Sequence, residues 1–474
     1  MDPRPLSFFA NAAQAVVTPF SGAADACVTG VVTDSRLVGT GNLFIALKGE
    51  RHDAHDHLGE VAARGALAAV VARDQAHRVP AGLAALIVEN PRIAFGQMAA
   101  AYRRTFDLPV VCVGGSNGKT TTKELLAAIL SRRFRTLKSQ GSFNNDVGVP
   151  ATLFGLESSH QVAVQEVGTN HPGELGPLVT MCDPKIGVTT SIGREHLEYF
   201  VDLAGVAAEE GALAERLPSA SAGGVLVLNG ECAFRSHLAS RTSARVVHAG
   251  IGPGNEWTAT IRAMEWGRTV FTVQAPDSAW NGDYFITLPG RHSVSNALLG
   301  LATAYELGVL PGDGRDGLAA FQPATQRLRL REAGGVRVLD DTYNANADSM
   351  MAALRTLKDL PCTGRRVAVL GDMAELGPET APAHDEVGRA AARLGIDAVF
   401  AVGTQAETTA RAAGDGRGVA FSNIETAAPA ILHFVLPGDV VVFKGSRSAR
   451  MERLMEALVR QLELRTPDPL PKAA

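Results

Sequence analysis

The sequence predicts an α/β protein of several domains, and three observations carry this reading. Apolar runs of four or five residues recur with helical stretches between them, the rhythm of βαβ units on a mostly parallel sheet. One of these runs ends in a glycine turn that opens a helix. At 474 residues the chain is too long for one core, since roughly 100–200 residues per domain is usual.

Residues 1–105 read as a small α/β unit, with strands at 43–47 and 68–72 and a helix at 57–64. A central unit follows over 106–318. Its first strand starts at Val110, and further strands are expected at 162–165, 186–190 and 225–228, with a helical run at 203–217. Alternation at 270–273 and 283–287 predicts antiparallel strands inserted before a helix at 293–307. The third unit, 319–474, has strands at 336–339, 367–370, 398–401 and 440–443 separated by helices. That is a doubly wound, Rossmann-like pattern. The proline-rich tail at 465–471 is expected to be disordered, and no internal repeat is visible.

Composition narrows the function. Hydrophobic residues make up 46% and charged residues 20%, an ordinary globular balance. A net charge of −4 gives no support for a nucleic-acid surface. Cys27, Cys112, Cys182, Cys232 and Cys362 are scattered without a CxxC pair, which argues against a zinc site or a disulfide framework. Reduced thiols and a cytoplasmic location are expected. Met1-Asp2-Pro3-Arg4 does not resemble a signal peptide, and no apolar run approaches the ~18–20 residues that span a bilayer. The expectation is a monomer that acts on small molecules and does not insert into a membrane.

The chemistry starts at Gly114-Gly115-Ser116-Asn117-Gly118-Lys119-Thr120-Thr121-Thr122. An apolar strand precedes it and a helical pattern follows from Lys123, so this is a P-loop-type turn at a helix N-terminus. Glycines there let backbone N–H groups converge on phosphate oxygens, and the helix dipole adds positive potential. Lys119 can reach terminal phosphates and the Thr120 hydroxyl can bind Mg²⁺. Valine stands at 113, where the usual loop has its first glycine, so the turn is one residue tighter.

Other candidates lie just beyond strand ends. Glu166 closes the run at 162–165, where a carboxylate one strand from a phosphate loop can hold a metal ion. His196 follows the strand at 186–190 on the same edge. Glu209-Glu210 lies in the helical run, where paired glutamates usually form a solvated face. Two asparagine-rich loops, with Asn144-Asn145 in one and Tyr343-Asn344-Ala345-Asn346 in the other, read equally as turns or as amide-lined binding loops.

Taken in order, several segments resemble the Mur ligase family over nearly the whole chain. They are Asp34-Ser35-Arg36, the stretch 43–56, the phosphate loop, 144–150, Glu166-Val167-Gly168-Thr169-Asn170-His171, Gly290-Arg291-His292, 341–346, 370–377 and Lys444-Gly445-Ser446-Arg447-Ser448. Within that family the last three segments point to the member that joins D-alanyl-D-alanine to UDP-N-acetylmuramoyl-tripeptide through an acyl phosphate. A sibling that adds the third stem-peptide residue is the alternative. The resemblance implies ATP and Mg²⁺. It implies a UDP-sugar site near Ser35, Arg36, Lys48, Asp53 and His55, and ATP contacts at Gly115, Ser116, Asn117, Gly118, Lys119, Thr120, Thr121, Asn296, Arg327 and Asp341. Asn144, Asn145, Tyr343, Asn344 and Asn346 are further substrate candidates. The resemblance implies metal ligation by Thr120, Glu166 and His196. It also aligns Glu210 with a lysine that the family carboxylates, so Glu210 is expected to supply a carboxylate to the second metal without CO₂.

Overall fold

The computed structural model describes residues 1–18 and 26–465, so the tail expected at 465–471 lies outside them from residue 466 on. The described chain holds four sheets, a 2-stranded pairing near the N-terminus and three larger ones of 5, 9 and 6 strands in chain order.

The central sheet has 9 strands and is parallel from Thr136–Lys138 across to Trp257–Glu265. Val110–Gly114 is buried at every position, as a strand covered by helices on both faces must be. The chain leaves this strand on one side for Val162–Glu166 and returns on the other for Ile186–Thr189. Sheet order therefore reverses at Val110–Gly114, and ligand sites form beyond the carboxyl ends at such a reversal. Register places Glu166 beside Val113 and Thr189 beside Gly114. The strand at 162–165 thus runs one residue further, to Glu166 itself.

The helix after the phosphate loop begins at Lys119, not at Lys123. Gly118, at φ 87°, turns the chain into it. Three β-branched threonines, weak helix formers, hid this first turn from the periodicity. The helix packs on Arg291–Glu306 and Pro311–Ala320.

The expected antiparallel insertion is present. Trp257–Glu265, Arg268–Gln274 and Gly282–Ile286 pair antiparallel and extend the sheet. Trp257 and Trp280 are buried edge to face, 5.4 Å apart. Trp266 stands at the hairpin tip, where the Arg337 guanidinium of the third sheet lies 5.5 Å from its ring.

The third sheet has 6 strands. Arg329–Ala333 is an antiparallel edge beside Val336–Asp341, and parallel strands Val440–Lys444, Arg366–Gly371, Ala398–Val402 and Gly418–Phe421 follow in that order. The strand expected to stop at 339 reaches Asp341 and carries it to the sheet's carboxyl edge. In the N-terminal part, the expected helix at 57–64 is a 3₁₀ turn, Ala54–His57, followed by Leu58–Ala63. Among the described residues no helix is long and apolar enough to cross a membrane.

The central and third sheets are joined by polar contacts. Arg194 donates to Asp348 Oδ1 at 2.8 Å and to Glu386 Oε2 at 2.5 Å. Burial works against the Arg194 charge, but the two carboxylates outweigh it and raise its pKa. Asn346 Nδ2 donates to Asn117 Oδ1 at 3.1 Å, which ties the third sheet to the phosphate loop.

Candidate active site

Gly115 has φ 109°, and a Cβ there would stand 2.5 Å from Thr190 Oγ1 and 2.8 Å from the Ser191 carbonyl. Only glycine lets the loop lie this close to the neighbouring strand end. Lys119 folds back over the loop, donating to Gly115 O at 2.5 Å and Ser116 O at 3.3 Å. Glu195 Oε2 lies 3.5 Å from the same ammonium. Burial pulls the Lys119 pKa down, but Glu195, Glu210 and Glu166 reverse this and leave it raised. The lysine is therefore held as a cation at the mouth of the loop.

Beside it, Thr120 Oγ1 donates to Glu166 Oε2 at 2.8 Å, and Asn144 Nδ2 donates to Oε1 at 2.9 Å. The two residues expected to share a metal are thus brought together, and Asn144 joins them. Lys123, fully buried, lies 3.8 Å from Glu166 and donates to Ser139 O at 2.8 Å and Gly141 O at 2.5 Å. It anchors the loop that carries Ser142 and Asn144. The sequence reading passed over Lys123, although its place one helical turn after Lys119 puts both ammonium groups on one face.

Glu210 is fully buried, as a residue on a solvated face is not. Its Oε2 accepts the Gly115 N–H at 2.7 Å, so it supports the phosphate loop from beneath. The structure does not bring it to the cavity wall with Thr120 and Glu166. Glu209 stays partly exposed and accepts the N–H groups of Gly173 and Leu175 at 2.8 Å.

Burial pushes the Glu210 pKa from 4.5 up to about 8, against the pull of Lys119 and with a push from Glu195. Between those values the folded protein keeps a proton that the unfolded chain has lost. Stability therefore falls as pH rises through that window. Glu210→Gln keeps an acceptor for Gly115 and carries no charge. Its thermal midpoint should match the parent's below pH 4.5. By about pH 9 it should exceed the parent's by the equivalent of on the order of 2 kcal/mol. Equal melting at the alkaline end would refute the argument.

His196 adopts φ 48°, and its Nδ1 is held by Glu375 of the third sheet. Asp341 is ion-paired with Lys444 at 2.6 Å, and Lys444 also donates to the Asn344 carbonyl at 2.9 Å. The Arg327 guanidinium lies over the Tyr343 ring, 4.0 Å from its centre, and Tyr343 OH contacts Ser142 Oγ. Asn296 lies against Gly118, whose Cβ would come 2.7 Å from its Oδ1. Asn346 caps a helix, its Oδ1 accepting from Ser349 N at 2.9 Å, and Asn145 Oδ1 closes a turn by accepting from Gly148 N at 2.9 Å. The turn reading was therefore half the truth for both asparagine loops.

These groups face one cavity of about 2340 Å³ between the sheets. Ser116, Asn117, Gly118, Lys119, Thr120 and Thr121 line it, as do Glu166, His196, Asn296, Arg327 and Asp341. Ser35, Arg36, Lys48, Asp53 and His55 do not line it. Arg36 is exposed and paired with Asp34 at 2.6 Å. His55 has both ring nitrogens engaged, Nδ1 with Asp53 Oδ1 at 2.6 Å and Nε2 with the Ala72 N–H at 3.1 Å. Among the described residues, no three His, Cys, Asp or Glu side chains form a ready cage for a metal. The Thr120 hydroxyl and Glu166 carboxylate instead offer two hard oxygens on the cavity edge. That set fits Mg²⁺, which is usually held by one or two carboxylates and completed by phosphates and water.

Known proteins resemble this chain in sequence and fold. Residues 113–304 match the Mur ligase middle domain, and 326–447 match the Mur ligase glutamate ligase domain. The chain is 38% identical to the UDP-N-acetylmuramoyl-tripeptide--D-alanyl-D-alanine ligase of Escherichia coli, over 92% of this chain and 94% of that protein. A crystal structure of MurF from Acinetobacter baumannii superposes with TM-score 0.88 at 32% identity, covering 97% of this chain and 99% of that one. MurF ligase from Thermotoga maritima in complex with ADP superposes with TM-score 0.79 at 25% identity, covering 93% and 99%. With both domain models matched and such relatives spanning almost its full length, this chain belongs to the Mur ligase family.

Proposed function

We propose that the protein is an ATP-dependent ligase that joins D-alanyl-D-alanine to UDP-N-acetylmuramoyl-tripeptide, giving the pentapeptide precursor of peptidoglycan. The observation that carries this reading is the lysine-bearing phosphate loop, set beside Glu166 on a cavity that the third sheet completes with Asp341, Tyr343 and Asn344. The relatives named for this reaction support the choice of substrates. In this reading residues 1–105 hold the nucleotide sugar, 106–318 bind ATP and 319–474 close over it. The reaction belongs in the cytoplasm, which suits cysteines that form no disulfide among the described residues.

The tripeptide carboxylate attacks the γ-phosphorus of ATP, releasing ADP and forming an acyl phosphate. The neutral amine of the dipeptide then attacks the acyl carbon, and phosphate leaves. Two anions must first approach one another, and Lys119 with the loop N–H groups offsets the charge that builds on the phosphoryl group. Mg²⁺, held by Thr120 and Glu166, would supply further positive charge at the phosphates. The contacts of Arg194 and Asn346 keep the cavity closed, which shields an acyl phosphate from water.

The test is phosphate release from ATP with UDP-N-acetylmuramoyl-tripeptide and a panel of amines. Release is expected with D-alanyl-D-alanine and without added bicarbonate, because position 210 holds a glutamate and no lysine for CO₂ to carboxylate. Release only with a nucleotide-linked dipeptide plus lysine or diaminopimelate would assign the sibling reaction. ATP binding with no release under either condition would sink the ligase reading.

A further inference from the structure

The segment Gly371-Asp372-Met373-Ala374-Glu375-Leu376-Gly377 has no role in the chemistry above, yet it makes a specific contact with it. Glu375 Oε2 engages His196 Nδ1 across the boundary between the third and central sheets. The backbone repeats the contact, as the Glu198 N–H donates to the Glu375 carbonyl at 3.2 Å. Gly377, at φ 54°, packs against the same turn, where a Cβ would stand in ordinary contact, 3.4 Å from Glu198 Cα. Both partners are held in left-handed backbone conformations, His196 at φ 48° and Glu375 at φ 60°. Non-glycine residues adopt that region at a cost and cluster at functional sites when they do. Both side chains line the cavity.

A carboxylate on one ring nitrogen of a histidine has a known consequence. It fixes the proton on that nitrogen, sets the ring plane and leaves the lone pair on the other nitrogen. Here Nδ1 is engaged, and Nε2 has no hydrogen-bond partner among the described residues. We propose that Glu375 is a positioning residue that orients the His196 imidazole, so that Nε2 is offered to a divalent cation only when the third sheet is docked. The inference rests on the ligase reading, in which a divalent cation accompanies the nucleotide. It gives the Glu375 segment a role in coupling closure of the cavity to its metal affinity.

The probe is Mn²⁺ in the presence of saturating ADP, with free Mn²⁺ counted by electron paramagnetic resonance on the full chain. Glu375→Ala should weaken Mn²⁺ binding roughly 10-fold or more, the usual scale for losing an orienting partner. Glu375→Gln, which keeps an acceptor for Nδ1–H, should recover most of the loss. The Glu375 side chain is 49% exposed, so neither variant should lower the melting temperature or the metal-free affinity for ADP. Parent-like or tighter Mn²⁺ binding by Glu375→Ala would overturn the proposal, the tighter result meaning that Glu375 withholds the imidazole. Equal weakening in Glu375→Gln would also overturn it, since the charge and not the orientation would then matter. A parent protein that releases no phosphate in the ligase assay is the separate failure, that of the reaction itself.

Discussion

Lys119→Met is expected to lower kcat at least roughly 10²–10³-fold, the usual loss when one group facing a developing oxyanion is removed. The structure adds a complication that the experiment must separate. Lys119 is the cation between Glu195, at 3.5 Å, and Glu210 beneath the loop. Removing it leaves the buried Glu195 carboxylate without its cation. Breaking a buried pair this way costs about 3–5 kcal/mol. Oε1 of Glu195 already lacks a hydrogen-bond partner, so the loss of Lys119 adds to an existing deficit. The single variant should therefore lose both stability and activity. The double variant Lys119→Met, Glu195→Gln should regain much of the melting temperature and none of the turnover. Recovery of turnover along with stability would mean that Lys119 serves the fold and not the reaction.

The second large effect is expected from Glu166→Gln. Both carboxylate oxygens are used, one by the Thr120 hydroxyl at 2.8 Å and one by the Asn144 amide at 2.9 Å. A glutamine can keep its oxygen on the Asn144 amide and donate its NH₂ to the Thr120 hydroxyl, so the packing survives while the direction of that bond reverses. It also removes one of the two carboxylates beside buried Lys123, 3.8 Å away, and leaves Glu124 at 3.0 Å as the other. The proposed Mg²⁺ edge would keep only a hydroxyl and an amide oxygen, which are weaker ligands for a hard cation. We expect kcat to fall roughly 10²-fold or more, with half-maximal activity moved to higher Mg²⁺. A steady-state titration of Mg²⁺ at saturating ATP checks both. An unchanged Mg²⁺ requirement would show that Glu166 does not face the metal, whatever the loss in kcat.

Much of the central architecture was legible because parallel strands buried on both faces must be apolar throughout. Val110–Gly114, Ile186–Thr189 and Val225–Asn229 announce themselves by that run alone. The phosphate loop was legible for a similar reason, since its glycines and lysine are tied to one local geometry. What stayed hidden is contact between residues distant in sequence. Arg194 meets residues 154 and 192 positions away, and His196 meets Glu375 across 179. No periodicity or motif spacing encodes such a pairing. Glu210 illustrates another limit. Its position was found by alignment with a family lysine, but its neighbour along the chain, also glutamate, made the pair look solvated. Only the packing of Leu203–Glu215 beneath the loop shows that one of the two faces inward. Glu195 was missed outright, because a single acid in a polar loop carries no local signal of the ammonium it will meet.

The placement of the tryptophans has a practical consequence. All three lie in the antiparallel extension, and they occupy different surroundings. Trp257 and Trp280 are sealed against each other, so their emission will change only when the extension itself comes apart. Trp266 is half-covered at a hairpin tip and shares its face with a guanidinium from the opposite side of the cleft. Its fluorescence is therefore an intrinsic gauge of whether the two halves are together. Nucleotide-driven rearrangement can be followed optically in the unlabelled protein, with Trp266→Phe as the dark control.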